Sequence, residues 1–496
     1  MNKIDNYDSN SGKRFKRIFK NFSFLTFGKI GGDFFNFVLF IIITRQFGEK
    51  VIGQYSFAIG FTGFFAILSQ FGLSDYAIKE ISGNKNSFGN YFPKIFTLNL
   101  ILSSLMWLVL LIFISFLSFS VETKLIVAII GAYQITFMMI EIHVSAFIAH
   151  EQMHIAGGIS VTTRLITAIG AVTIALFGGG IIATLAFLPF MSFVLLFGIR
   201  NLMRKRLGKI ALLDSIYSLK ATFKEVIPFG ISDFLSQIYN RIDVVLIGFI
   251  IGETAAGIYN VGYRVIFFLL FIPHFASTTI FPLVPILYRE SMVEFGKLYN
   301  KVLGMMVIIG LPVSAGLWLI APKLINLIFG PVFSRSAVIL KILAPIFLLK
   351  SFSYIMGIFL MSSNRQKYMA SVSTIVSVLS IVIFPVFIYF WNIEGAAVAA
   401  VVLRFLLTIL YMVKLKTIIG IPDVKIKFLV CLLGVSTFYI PLSFFPNLNI
   451  FVIIALSCLI YFGVILLFKD IRENEIRMIL NLFDIGKDKI GIHSYL

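Results

Sequence analysis

The sequence predicts an all-α polytopic membrane protein with about fourteen transmembrane helices. Three observations predict it. Of 496 residues, 59% are apolar and only 13% charged, where a soluble domain has roughly 45–50% apolar and about 25% charged residues. The mean hydropathy is +0.98. And apolar windows of about 20 residues, the length that crosses roughly 30 Å of hydrocarbon, recur along the whole chain. Soluble globule, disorder and fibre are excluded by this arithmetic. Two cysteines exclude a disulfide scaffold.

In chain order, residues 1–21 are a polar, basic tail holding Lys13, Arg14, Lys16, Arg17 and Lys20. No short apolar region with a small-residue cleavage site follows, so the first span is expected to be retained. Expected spans lie near 22–44, 52–73, 95–118, 125–148, 159–177 and 181–199. A basic linker, 200–225, follows. Further spans lie near 226–250, 256–286, 302–321, 338–361, 368–390 and 396–413. An extra hairpin, 428–468, and a tail, 469–496, complete the chain. Spans five and six are separated only by Gly178-Gly179-Gly180.

The net charge of +19 sorts by side. Thirty of the 42 Lys+Arg fall on the two tails and the even-numbered connections, five on the odd ones, and seven inside spans. Excess Lys/Arg marks cytoplasmic loops. Both termini are therefore expected in the cytoplasm of a cell with this protein in its inner membrane. The basic loops suit anionic lipid headgroups, and no nucleic-acid partner is expected. No cofactor is expected either: His143, His150, His154, His274 and His493 lack metal-ligand spacing with Cys431, Cys458 or carboxylates.

The chain repeats itself. Gly48-Glu49-x-x-x-Gly53-x-Tyr55 recurs as Gly252-Glu253-x-x-x-Gly257-x-Tyr259, 204 residues later. Both copies follow an odd-numbered span, so the repeats share one orientation. Transporters are often built from such repeats, with the substrate site between them. Two six-helix lobes, 22–199 and 226–413, are expected.

Charge inside a bilayer costs a few kcal/mol or more and tends to face a partner or a hydrated path. Span one carries Thr26, Lys29, Asp33 and Asn36 on one helical stripe. Span seven carries Asp233, Ser236, Gln237, Asn240 and Arg241 on another. At offset 204, Lys29 aligns with Asp233, Asp33 with Gln237, and Asn36 with Asn240. Hydrogen-bonded helix packing is one explanation. A hydrated cavity shared by the halves explains both stripes and the repeat. Intramembrane cations (Lys29, Arg164, Arg241, Arg264, Lys341, Lys350, Arg404) outnumber the anions Asp33, Glu141, Asp233 and Asp243. A cationic lumen suits an anionic substrate, because Arg and Lys compensate phosphate charge. Lys29, Arg164, Arg241 and Arg264 are the candidate anion-binding residues. The four carboxylates pair those cations, or one of them carries a coupling ion.

Several segments resemble one family. They are TRQFGEKVIGQYSFAIGFTGFFAILSQFGLSDYAIKEIS (44–82), RIDVVLIGFIIGETAAGIYNVGYRV (241–265), APKLINLIFGPVFSRSA (321–337) and GAAVAAVV (395–402). In order and spacing they resemble Wzx-like polysaccharide and O-antigen flippases of the multidrug/oligosaccharidyl-lipid/polysaccharide exporter superfamily, over residues 20 to 415. The resemblance implies inner-to-outer leaflet movement of a polyprenyl-pyrophosphate-linked oligosaccharide. It also implies a V-shaped cationic cavity between lobes, drive by an ion gradient, and other polysaccharide-assembly membrane proteins as partners. Rival readings are a cation-coupled multidrug exporter, a peptidoglycan-precursor flippase and, from a different class, a membrane glycan polymerase. Short external connections and the absence of a nucleotide loop or nucleophile–base pair disfavour an enzyme.

Overall fold

A backbone that crosses hydrocarbon must satisfy its own N–H and C=O groups, so apolar segments of this length fold as helices. The computed structural model describes residues 2–208, 216–420, 422, 425–444 and 448–468. Among them no strand occurs. The helices are α1 (Asn2–Gln70), α2 (Leu73–Gly83), α3 (Phe88–Phe116), α4 (Val121–Ala149), α5 (Met153–Leu176), α6 (Ile181–Leu207), α7 (Ile216–Ile250), α8 (Glu253–Leu269) and α9 (Phe271–Ile280). They continue with α10 (Val284–Glu290), α11 (Met292–Phe329), α12 (Ser334–Leu343), α13 (Pro345–Ser362), α14 (Gln366–Ile419), α15 (Lys425–Ser436), α16 (Tyr439–Phe444) and α17 (Ile450–Leu466).

Among the described residues, nine helices are long and apolar enough to cross a membrane. Two of these hold a pair of expected spans each. Helix α1 breaks at Gly48, whose φ of 80° favours glycine. Helix α14 breaks at Trp391 and Asn392, with Asn392 at φ 51°. In helix α7, Asp233, Arg241 and Asp243 interrupt the apolar run. The two helices of the extra hairpin are apolar but shorter. The expected crossings thus fall on helical segments, with turns at 270 and 281–283 within 256–286, at 344 within 338–361 and at 437–438 within 428–445, and the set makes this a multi-pass membrane protein. Spans five and six are separate helices, divided at Gly178 with φ 82°. Much of the expected linker is helical, because α6 runs on to Leu207 and α7 begins at Ile216. Residues 209–215 and the tail 469–496 lie outside the described residues. Side-chain N-caps start several helices: Ser120 accepts from the Thr123 N–H at 3.2 Å and Ser291 from Glu294 at 3.3 Å.

Backbone contacts divide the chain into two units. One comprises residues 20–264 and 373–399. Its core includes Tyr76, Phe92, Phe147, Met203 and Val226, which join α2, α3, α4, α6 and α7. The other comprises the described parts of 1–19, 265–372 and 400–496. There the terminal hairpin packs on α11: the Tyr461 hydroxyl donates to the Ile308 carbonyl at 2.7 Å, beside Phe438 and buried Cys431. Lys341 lies over the Trp318 ring at 5.6 Å. Lys350 is buried on α13.

Candidate functional site

The cluster of charged residues is assembled on the first unit, and small residues make it possible. On α1, a Cβ at Gly28 would lie 2.7 Å from the Gly157 backbone of α5, so these helices touch along their main chains. One turn on, a Cβ at Gly32 would collide with the side chain of Arg164. That close approach lets Arg164 cross α1 and donate to Asp33 at 2.6 Å, with the Lys29 carbonyl 3.5 Å away. The guanidinium sits 5.2 Å from the centre of the Phe137 ring. Its Nε is buried and lacks a hydrogen-bond partner among the described residues.

Arg264 approaches the same stripe from α8. Its Nη2 donates to the Asn36 carbonyl at 3.3 Å, and the guanidinium lies 5.1 Å from the Phe40 ring centre. Tyr55, Arg241, Asp33 and Arg164 all act electrostatically on Arg264. Glu141 on α4 feels both Arg164 and Lys29. The structure therefore brings together Lys29, Arg164, Arg241 and Arg264 with the carboxylates Asp33 and Glu141. Four cations against two anions leave this cluster net positive. Gln237 reaches Gly63 on α1, where Gln134 also points.

Other predicted residues stand apart. Asp243 is 6% exposed and accepts from the Tyr259 hydroxyl at 2.7 Å and from the Val244 N–H at 2.8 Å. It faces the packing between α7 and α8. Asp233 is half-buried, and the neighbouring charge that acts on it is Asp75. Asn240 donates back to the Ser236 carbonyl of its own helix at 2.7 Å.

Sequence reasoning missed the aromatic frame of the cluster. Tyr133 lies within electrostatic range of both Arg164 and Arg264 and bonds to Thr167. Tyr133, Phe137 and Glu141 are spaced four apart, a third stripe on α4. That spacing was the available signal. Phe40 and Phe137 each present a ring to one arginine, which attracts a cation by its quadrupole.

Three comparisons bear on identity. A family model described as polysaccharide biosynthesis protein matches residues 18–287. A curated relative, the probable low-salt glycan biosynthesis flippase Agl15 of Haloferax volcanii, is 24% identical over 265 residues. That match takes in 51% of this chain and 56% of the relative, so the chain spans about half the length of the curated protein it matches. Among solved structures, the lipid II flippase MurJ in an inward closed conformation superposes with a TM-score of 0.73 at 16% identity, covering 89% of this chain and 97% of MurJ. An inward-facing multidrug-resistance MATE transporter gives 0.62 at 15%, covering 78% and 94%. A transporter from Pyrococcus furiosus, described as having a binding pocket of reversed polarity, gives 0.59 at 14%, covering 85% and 96%. These neighbours are flippases and transporters rather than catalytic enzymes, and at such identities they show the fold alone. With more than half of its length matched by the family model, the chain belongs to the polysaccharide biosynthesis protein family, and it shares the fold of the MurJ and MATE transporters.

Proposed function

We propose that the chain is a flippase that moves a polyprenyl-pyrophosphate-linked oligosaccharide from the inner to the outer leaflet of the cytoplasmic membrane. The observation that carries the reading is the net-positive cluster of Lys29, Arg164, Arg241 and Arg264. Two of its arginines are held on phenylalanine rings and main-chain carbonyls. A guanidinium fixed in this way meets phosphate oxygens bidentately with little further ordering. Asp33 and Glu141 keep the cluster charge-balanced in part while it is empty of substrate. Membership of a polysaccharide family and the flippase named among its relatives support a glycan cargo.

Alternating access between two six-helix lobes, 22–199 and 226–413, driven by an ion gradient, completes the proposal. Both termini face the cytoplasm in this reading, and an O-antigen-like polymer is the class of product. A multidrug exporter of cationic compounds fits a net-positive cluster poorly. A peptidoglycan-precursor flippase carries the same diphosphate, and it is a second arm of the test. The chain is reconstituted in liposomes with an imposed proton or Na⁺ gradient. Outward movement of a prenyl-diphosphate oligosaccharide and of a peptidoglycan precursor is then measured. Arg241→Ala and Arg264→Ala are expected to lower the rate at least tenfold. Movement at the wild-type rate in both variants would sink the proposal.

A further inference from the structure

The two copies of the repeated motif touch. A Cβ at Gly257 would lie 2.7 Å from the Gly53 main chain, and one at Gly53 would lie 2.7 Å from the Glu253 carbonyl carbon. Gly53 and Gly257 are equivalent residues, 204 apart. Three residues further on in each copy, Asn260 donates to the Ser56 hydroxyl at 2.9 Å. This main-chain approach brings Gln54, the neighbour of Gly53, close to Glu253 at the start of α8. The start of α4 completes the group. Gln54 Nε2 donates to the Thr123 hydroxyl at 3.0 Å and to Glu122 Oε2 at 3.3 Å. Thr123 also hydrogen-bonds Glu253, and Glu122 and Lys50 both act electrostatically on that carboxylate. Lys50 Nζ donates to Glu122 Oε2 at 3.3 Å. All of these residues belong to the unit that contains residues 20–264.

Two oxygens in this group are left over. Gln54 is fully buried, and since its Nε2 is the donor, Oε1 is its acceptor end. That Oε1 has no hydrogen-bond partner among the described residues, and neither has the buried Oε1 of Glu253. The positive end of a helix favours a carboxylate in its first turn, which accounts for Glu122 and Glu253 as residue types. It does not account for the two bare oxygens, because a buried acceptor without a donor costs about 1–3 kcal/mol. A bridging water would donate to both oxygens and leave the charge unchanged. Glu122 and Glu253 against Lys50 leave one surplus negative charge. A monovalent cation cancels that charge, and a divalent one overshoots it. Gln54, Glu122, Thr123 and Glu253 all offer oxygen, the ligand atom of hard cations. The counterpart of Gln54 in the second motif copy is Ile258, so the repeat alone does not call for this amide.

We propose that Gln54, Glu122, Thr123 and Glu253 bind one sodium ion. The buried oxygens of Gln54, Thr123 and Glu253 form the inner side of the site. Glu122, with a side chain 40% exposed, forms its entrance. Lys50, 70% exposed, competes for Glu122 and is released to solvent when the ion enters. On the loop-charge topology proposed above, connections 45–51, 119–124 and 251–255 face outward, so the ion arrives from that side. Once bound, it ties the second half of α1 to the starts of α4 and α8. Binding here requires no glycan and no flippase activity.

The test reads the ion itself. The full chain is placed in nanodiscs of phosphatidylcholine, whose headgroup is zwitterionic, and titrated with radioactive sodium while choline holds the ionic strength. Saturable binding is expected for the parent. Glu253→Gln and Glu122→Gln are each expected to weaken it by roughly tenfold or more, since ligand charge sets cation affinity. The Glu122 side chain is partly exposed, so its variant decides even where Glu253→Gln fails to fold. Lys50→Gln removes the competing ammonium and is expected to tighten binding roughly threefold, the scale of an exposed ion pair. A merely structural role for Lys50 would not produce that gain. Binding by Glu122→Gln at the parent's affinity and stoichiometry refutes the site, and so does a Lys50→Gln chain that binds no more tightly than the parent. A parent chain that binds no sodium, with a melting temperature that shifts with pH alone, also refutes it and assigns the carboxylates to protons.

Discussion

If Arg164 meets the cargo's diphosphate as proposed, its ion pair with Asp33 makes the carboxylate a competitor for that cargo. A diphosphate that takes Arg164 must displace Asp33, so Asp33→Asn is expected to bind the headgroup more tightly. The pair spans 2.6 Å, with side chains 14% and 36% exposed. A hydrogen bond to a charged group contributes about 1.5–3 kcal/mol net. Exposure of more than a third on the Asp33 side places this pair at the lower end, about 1.5 kcal/mol, through solvent screening. Asparagine keeps the shape and removes the charge. The headgroup Kd is therefore expected to fall about tenfold, at roughly 1.4 kcal/mol per factor of ten. Flipping slows, because release is no longer aided by the returning carboxylate. The assay is calorimetric titration of the chain in nanodiscs with a short-chain prenyl-diphosphate sugar, with Arg164→Gln as the weakening control. A Kd for Asp33→Asn within twofold of the parent, or weaker, would refute the competition.

Other substitutions separate the binding cluster from its scaffold. Phe137→Leu removes the ring under Arg164 and is expected to weaken headgroup binding two- to fivefold, matching a cation–π loss of about 0.5–1 kcal/mol. Tyr259→Phe takes a hydroxyl from buried Asp243. It is expected to destabilise the chain by about 1–3 kcal/mol, read as a lower melting temperature with headgroup affinity unchanged within twofold. Gly28→Leu drives a side chain into the Gly157 main chain. It is expected to cost about 1–3 kcal/mol from overpacking and, by separating α1 from α5, to weaken headgroup binding together with stability.

The span map was legible because the cost of exposing backbone to hydrocarbon leaves little choice of structure. The cationic cluster was legible in its members, since charge in an apolar helix stands out. Its geometry was not. Whether Arg164 meets Asp33 depends on how closely α5 approaches α1, and that is set by Gly28, Gly32 and Gly157, whose meaning appears only when the helices are seen together. Asp243 lies outside the α7 stripe, since it follows Arg241 by two residues. Two residues turn a helix by about 200°, which carries Asp243 to the opposite side and into contact with Tyr259. The frame of Tyr133 and Phe137 has helical spacing, but aromatic residues are so common in this chain that the spacing alone does not set them apart. The repeat was legible at its glycines. That the copies touch one another was not, because sequence offset says nothing of distance.

A hydrogen bond between Ser56 and Asn260, residues at the same position of two copies, has a historical meaning as well. Two-fold symmetric dimers bring equivalent residues together at their axis, where one patch contacts itself. Joining two such subunits into a single polypeptide leaves that axis inside one chain. At Gly53 and Gly257 the ancestral identity survives, since each main chain still needs the other to lack a side chain. At 56 and 260 it has lapsed: serine faces asparagine, a donor–acceptor pairing that a symmetric dimer of identical subunits could not hold. Within one chain the two sides of such an interface are free to differ, as they do here and at Ile52/Ala256 and Phe57/Val261.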